Sequence, residues 1–452
     1  MGHQPFSIAS PAKWLEDEGA DVKCIDLSVD CIDEDTVKSA NLIAIYLPMH
    51  TATRLAIEVL PKIKNINPRA YLAFYGLYAK LNKDLLLSLG GKTIISGEFE
   101  DSLVHLYKQL VDKKIFSNSD LVSLKRQNFR KPNRSHLPNL KNYAKLINGK
   151  GQSITVGYTE GTRGCKHICR HCPVVNVYKG RFFVVQPDVV MEDIRQQVEA
   201  GAEHITFGDP DFFNGPGHAF KLVKTFHEEF PDLTYDVTIK VEHLLAHREK
   251  LSLLAETGCI FVTTAVEEVD NEILCKLEKN HTRDDFVEVV NATHTAGLTL
   301  SPTFIPFHPW TTTFGFVDLL SMISELNLIE NVSPVQLGIR LLIPEGSRVL
   351  ELQDINQFLG DFDAEKLSYN WKPADPLTDE LQAEVCKAIQ LGVNEGASRR
   401  AIFEKVWILA HNAFNQLAPA LPPETVRNTN VPTMSEPWYC CAEPNDEQVA
   451  GM

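Results

Sequence analysis

Three cysteines fall within eight residues in Gly164-Cys165-Lys166-His167-Ile168-Cys169-Arg170-His171-Cys172-Pro173, at the spacing C-x3-C-x2-C. A run this tight cannot pair its thiols as ordinary disulfides without leaving one over. It also lacks the fourth ligand of a closed structural zinc site. Three thiolates on one short loop suit an iron–sulfur cluster with one iron open to a non-protein ligand. A small zinc knuckle that borrows His167 or His171 is the other arrangement these residues allow. The flanks constrain the loop further. Residues 154–160 read as a strand, Gly161 and Gly164 let the backbone curl, and Pro187 with Asp188 opens a helix.

Downstream, Val190, Ile194 and Val198 recur at four-residue spacing and stop at Gly201, a helical stripe with its terminator. Strands are expected at 204–208, 233–241, 259–266, 298–307 and 335–343, with helices between them. Counting the strand before the cysteines gives about six βα units, too few for a closed eight-fold barrel. In α/β barrels functional groups collect at the C-terminal strand ends. Gly208, Asp209 and Asp211 end the second strand, Lys240 the third and Glu267 the fourth, while Arg340 lies in the last. An arginine fork suits a carboxylate. Each of these charges could instead serve only the loop backbone beside it. His308, between Pro306 and Pro309, reads as a turn residue.

The cysteine loop, with His171 in the aromatic slot before its last cysteine, resembles the signature of the radical S-adenosylmethionine (SAM) superfamily. The resemblance implies an open partial (βα)6 barrel and a [4Fe–4S] cluster on Cys165, Cys169 and Cys172. It also implies SAM chelated to the open iron. Gly208-Asp209-Pro210-Asp211 falls where the family has its Gly-Gly-Glu-like motif beside SAM. Together with His171, Lys240, Glu267 and Arg340 these become expected cofactor-binding residues.

Residues 1–114 alternate short apolar runs (22–27, 42–47, 71–75 and 93–95) with helix-like segments, the pattern of a doubly wound parallel sheet. This arrangement resembles the cobalamin-binding domain that precedes many radical SAM barrels, which would add cobalamin as a cofactor. No Asp-x-His-x-x-Gly supplies a lower axial histidine, and no apolar strand precedes the first helix. A first strand is central in such sheets, so a start upstream of Met1 is expected. Residues 115–150, with Arg126, Arg130, Lys131, Arg134, Lys141, Lys145 and Lys150 between prolines, read as a solvated linker.

Residues 346–452 are expected to add two helices, near 377–396 and 398–414, and then a proline-rich extended tail. The chain nears its end with Glu436-Pro437-Trp438-Tyr439-Cys440-Cys441-Ala442-Glu443-Pro444. This ending is similar to a radical SAM group marked by a CCAEP or CUAEP tail, in which the second cysteine position can be selenocysteine. That interchange implies chemistry at the sulfur, and adjacent cysteines make a strained disulfide with each other. Cys440 and Cys441 are therefore expected to be catalytic, folded back over the barrel mouth to act on or hold a substrate.

The formal net charge of −15 leaves no global footprint for nucleic acid. No apolar run approaches the roughly 18 residues of a membrane span, and the N-terminus lacks a secretory pattern. Ten cysteines, scattered apart from two clusters, point to a reducing cytoplasm. The expected protein is thus a cytoplasmic radical SAM enzyme that cleaves SAM reductively and modifies a small molecule. A flavodoxin- or ferredoxin-type reductant would be its partner. Aminocarboxypropyl or methyl transfer to a soft atom such as arsenic or selenium, and a non-catalytic metal or metalloid sensor, are the alternatives.

Overall fold

A computed structural model describes residues 2–113, 119–423 and 431–435. The first sheet contains β1 (Leu42–Tyr46), β2 (Tyr71–Tyr75), β3 (Thr93–Gly97) and β4 (Ser119–Ser123), all parallel and adjacent in chain order. β2 and β3 are buried, and the two buried hydroxyls of β3 are satisfied, Thr93 with Tyr71 and Ser96 with the Gly76 carbonyl. Residues 22–27, expected as a strand, form none. Asp26 there accepts from the Ser28 hydroxyl and the Tyr143 hydroxyl instead. β1 is therefore left as an edge of the sheet.

The helix Phe6–Asp17 bridges this sheet to the rest of the chain. Its Ser10 hydroxyl donates to Glu100 and its Ser7 hydroxyl to Glu160. The basic segment after β4 is not a solvated linker throughout. Arg134 is buried and grips Asp193 through two nitrogens, at 2.7 and 2.8 Å, while also reaching Gln4 and the Tyr158 carbonyl.

The second sheet is a curled half-barrel. β5 (Lys145–Ile147) and β6 (Ser153–Thr159) form an antiparallel pair, and β7 (Thr162–Gly164) and β8 (Phe182–Val184) a small ribbon at the cysteine loop. β9 (His204–Phe207), β10 (Thr234–Thr238), β11 (Cys259–Glu267) and β12 (Thr299–Phe304) then run parallel to β6, each separated by helix. The sixth strand expected at 335–343 shrinks to a single bridge between Phe307 and Arg340, because Pro334–Gly338 winds into a 3-10 turn. A hairpin of β13 (Leu359–Asp363) and β14 (Ser368–Trp371) follows, then helices Leu377–Asn394 and Arg399–Ala413. Last comes β15 (Thr433–Met434), antiparallel to β5 and therefore on the same heading as β6.

Alternation along the parallel strands separates two faces. Ile205, Phe207, Tyr235, Val237, Val262, Leu300 and Phe304 are buried in the main core with the surrounding helices. The opposite face carries Tyr158, Thr206, Thr238, Thr263, Ser301 and Thr303, all half-buried. A period of two thus gives an apolar outer wall and a hydroxyl-rich inner wall.

Candidate active site

The cysteine loop leaves β6 at its C-terminal end and is fixed before it reaches the first thiol. Gly164 has φ +74°, and a Cβ there would sit 2.4 Å from the Tyr178 ring and 2.6 Å from the Arg181 carbonyl. Only glycine passes. Asn214 holds the loop on both sides of Cys165, donating to the Gly164 carbonyl and accepting from the Lys166 amide. The Arg170 amide donates to the Leu277 carbonyl. Cys165 and Cys169 are buried and Cys172 half-buried. Burial pushes the Cys165 thiol up to about 12, so it becomes a thiolate only with compensating positive charge nearby.

That charge is present. Lys240 Nζ lies 3.6 Å from the Cys169 sulfur. Lys279, 2% exposed, reaches Glu267 at 3.3 Å; burial opposes its charge, but Glu267, then the Cys169 sulfur, outweigh burial and raise its pKa. Glu267 ends β11 with φ +73°, an uncommon conformation for a residue with a side chain, beside a register shift against β12. The shift re-aims the carboxylate to accept from Lys279 and pair with His171 at 3.2 Å. Burial opposes its charge, but Lys279 and His171 outweigh burial and hold its pKa at about 2. His281, buried, makes no hydrogen bond through either ring nitrogen among the described residues. Burial, then the Lys279 and Lys240 ammoniums, push it down to about 3.

The other expected residues divide. Gly208 is obligatory, since a Cβ there would lie 1.9 Å from the Tyr158 hydroxyl oxygen. The Asp209 carboxylate accepts from the Gly161 amide at 2.8 Å and the Thr162 hydroxyl at 2.6 Å, so it shapes the lead-in to the cysteines. Burial nonetheless raises it to about 7. Asp211 faces His167 and His243. Burial works against its charge, yet the adjacent His167 and His243 rings hold it far below the usual carboxylate range. Arg340 turns toward the C-terminal helices, pairing with Asp379 at 2.6 Å and stacking on Trp371. His308 pairs with Glu268 at 3.0 Å. Cys440 and Cys441 lie outside the described residues.

Sequence reasoning missed Lys279, His281 and His243. The first two sit on a loop and the third on a short helix, where no periodicity marks a functional side. It also missed the floor of the inner wall. There Asp236 Oδ1 accepts from the Thr206 hydroxyl at 2.6 Å and pairs with His204 Nε2 at 2.9 Å.

The donor set fits a [4Fe–4S] cluster: three thiols on one loop, two ammoniums beside them, and no fourth cysteine in the loop. Lys240, Lys279 and Glu267 around the cluster position fit the polar end of SAM. A corrin would have to enter between the first sheet and the cysteine loop, where Tyr178 donates to Glu98 at 3.1 Å and Arg163 to Glu100 at 2.9 Å. The space over Gly97 is taken by the Ser123 carbonyl, and His50 is committed to the Lys366 carbonyl. No step below runs through a corrin.

Comparison with known proteins agrees with this geometry. Residues 159–320 match the family model described as the Radical SAM superfamily. The fold is similar to the radical SAM methyltransferase TsrM from Kitasatospora setae, solved with cobalamin and a [4Fe–4S] cluster (TM-score 0.59, 17% identity), over 72% of this chain and 68% of that one. It is also similar to OxsB, a cobalamin-dependent SAM radical enzyme solved with aqua-cobalamin and SAM (TM-score 0.65, 14% identity), over 85% of this chain and 64% of that one. The chain therefore spans just under two thirds of OxsB. No curated protein matches the sequence. Residues 159–320 of the chain thus form a radical SAM domain.

Proposed function

We propose that Cys165, Cys169 and Cys172 hold the cluster, that Lys240, Lys279 and Glu267 seat SAM against it, and that the reaction modifies a small polar molecule on the inner wall of the half-barrel. The observation that carries this reading is the convergence on the three-cysteine loop of two buried lysines, Lys240 just past the C-terminal end of β10 and Lys279 on the loop beyond β11 and its helix. Cluster and SAM together supply reductive cleavage of the sulfonium. The chain's residues do the rest. Lys240 and Lys279 offer ammonium donors to a carboxylate, and Glu267 accepts from an ammonium or ribose hydroxyl. The buried strand ends keep bulk water from the reacting atoms.

The inner wall supports a polar substrate. Thr238, Thr263, Ser301 and Thr303 put hydroxyls on it, and Asp236 stands at its floor. The tail cysteines belong to the same reading. Ser435 bonds to Lys145, and β15 heads with β6 toward the mouth. Five residues of extended chain reach about 17 Å, enough to cover the roughly 13 Å of β6 that remain between Thr155 and Thr159. Cys440 and Cys441 would then meet substrate at the mouth. The reducing cytoplasm and a flavodoxin- or ferredoxin-type donor complete the proposal.

The test is anaerobic. The chain is reconstituted with iron and sulfide, given SAM and dithionite, and its products identified by mass spectrometry beside a Cys169→Ala control. 5′-Deoxyadenosine from the wild type alone is the expected result. 5′-Methylthioadenosine would favour aminocarboxypropyl transfer. A cluster-loaded chain that cleaves no SAM would sink the reading.

A further inference from the structure

Asp211 stands where two imidazoles meet. Its Oδ2 is 3.1 Å from His167 Nε2 and 2.6 Å from His243 Nδ1. Ligand atoms of Cys165, His167 and Asp211 all lie within 4.8 Å of one another. His167, Asp211 and His243 are 6%, 0% and 3% exposed. Three elements bring them together: the loop between the first two cysteines, the turn after β9, and the short helix Val241–Ala246 after β10.

Two details do not suit a plain hydrogen-bonded cluster. Neither ring nitrogen of His243 makes a hydrogen bond among the described residues, although Nδ1 nearly touches the carboxylate. His243 thus holds its Nδ1 against the Asp211 carboxylate without an aligned hydrogen bond and leaves Nε2 unsatisfied; an unsatisfied buried polar atom costs about 1–3 kcal/mol and calls for an ion or a water. The second detail is Glu242, whose carboxylate lies 3.5 Å from the other nitrogen of His167, Nδ1. A carboxylate behind an imidazole is what fixes the tautomer and orientation of a metal-ligating histidine.

We propose that His167, Asp211 and His243 bind one divalent transition-metal ion beside the cluster cysteines and separate from the cluster. Two imidazoles and a carboxylate favour zinc, iron(II) or cobalt(II) over magnesium or calcium. Asp211 Oδ1 is already fixed by the Phe213 amide, which leaves Oδ2 for the ion. In a chain without its cluster, Cys165 would complete a tetrahedral set. With the cluster present that sulfur belongs to iron, and the ion keeps an open position. Held this way, the ion ties the cysteine loop to the ends of two barrel strands.

The test uses the full-length chain with Cys165, Cys169 and Cys172 all changed to Ala, which removes the cluster and the competing thiolates. Cobalt(II) alone is titrated in, followed by visible absorption, and then displaced with zinc. One cobalt per chain is expected, weakened at least about tenfold by adding His243→Gln or Asp211→Asn. Circular dichroism on each variant checks that the fold persists. In the otherwise wild-type, reconstituted protein, His243→Gln should lose one zinc per chain while keeping cluster iron and sulfide. No cobalt uptake by the cysteine-free chain, or uptake indifferent to both substitutions, overturns the proposal. Failure of the wild type to assemble a [4Fe–4S] cluster would strike the proposed function and leave this titration unchanged.

Discussion

Glu98 is fully buried where the first sheet meets the helix that follows the cysteines. One oxygen accepts from the Tyr178 hydroxyl at 3.1 Å. The other makes no hydrogen bond among the described residues and lies 3.9 Å from Arg163. Burial raises its pKa from 4.5 to about 7, and Arg163 pulls it back only in part. Between those two values the folded chain holds a proton that the unfolded chain releases. The stabilising contribution is therefore complete below about pH 4.5 and lost as pH rises through 7. A gap of about 2.5 pH units, at about 1.4 kcal/mol each, makes the ionised form cost up to about 3.5 kcal/mol.

Glu98→Gln removes the titration and keeps an oxygen for Tyr178. Urea unfolding of the cluster-free chain, wild type and variant side by side, reads the difference. Near pH 8 the variant should be more stable by about 2–3 kcal/mol, and near pH 5 the two should nearly coincide. A variant that is less stable near pH 8 would refute the reasoning. It would mean that Glu98 stays ionised as a third counterion for Arg163, beside Glu100 and Glu160.

Other expectations follow from the site. Lys279→Met leaves the buried Glu267 carboxylate with His171 alone, so unfolding should show a loss of about 3–5 kcal/mol and equilibrium dialysis weaker SAM binding. Glu267, held at about 2 against an ordinary 4.5, contributes stability above about pH 4.5 that disappears as pH falls toward 2; Glu267→Gln should flatten that part of the acid-unfolding curve. Asp236→Asn should leave cluster content and slow, substrate-free SAM cleavage intact, with no stimulation of cleavage by the true substrate. Cys441→Ser should keep cluster iron, sulfide and SAM cleavage and lose product formation, read by mass spectrometry.

The sequence made the cysteine loop and the βα repeat legible because both are local: a spacing of eight residues and periods of two and 3.6. It failed where neighbours decide. Residues 22–27 carry strand-like side chains, yet Asp26 is engaged by Ser28 and Tyr143, and 335–343 is diverted by the 3-10 turn Pro334–Gly338. β4 falls in the polar stretch read as linker, and Arg134 reads as a solvated charge until Asp193 stands opposite it. Asp209 and Asp211 were visible as a pair at a strand end. Which atoms each would face depends on Gly161, Thr162, His167 and His243, and their approach is set by the curl of the sheet.

The loop's attachments explain why so many functional side chains come from separate strands. Asn214 grips it from the turn after β9, Glu267 through His171 from the end of β11, and the Leu277 carbonyl from the loop beyond. Arg163, just before it, is fixed by three glutamates and the rings of Phe6, Phe99 and Phe129. Phe99 and two of those glutamates, Glu98 and Glu100, come from the segment that follows β3. A shift of the first sheet therefore cannot occur without moving Arg163, and through Gly164 the first cysteine. The first sheet is thus tied to the entry of the cysteine loop through Arg163.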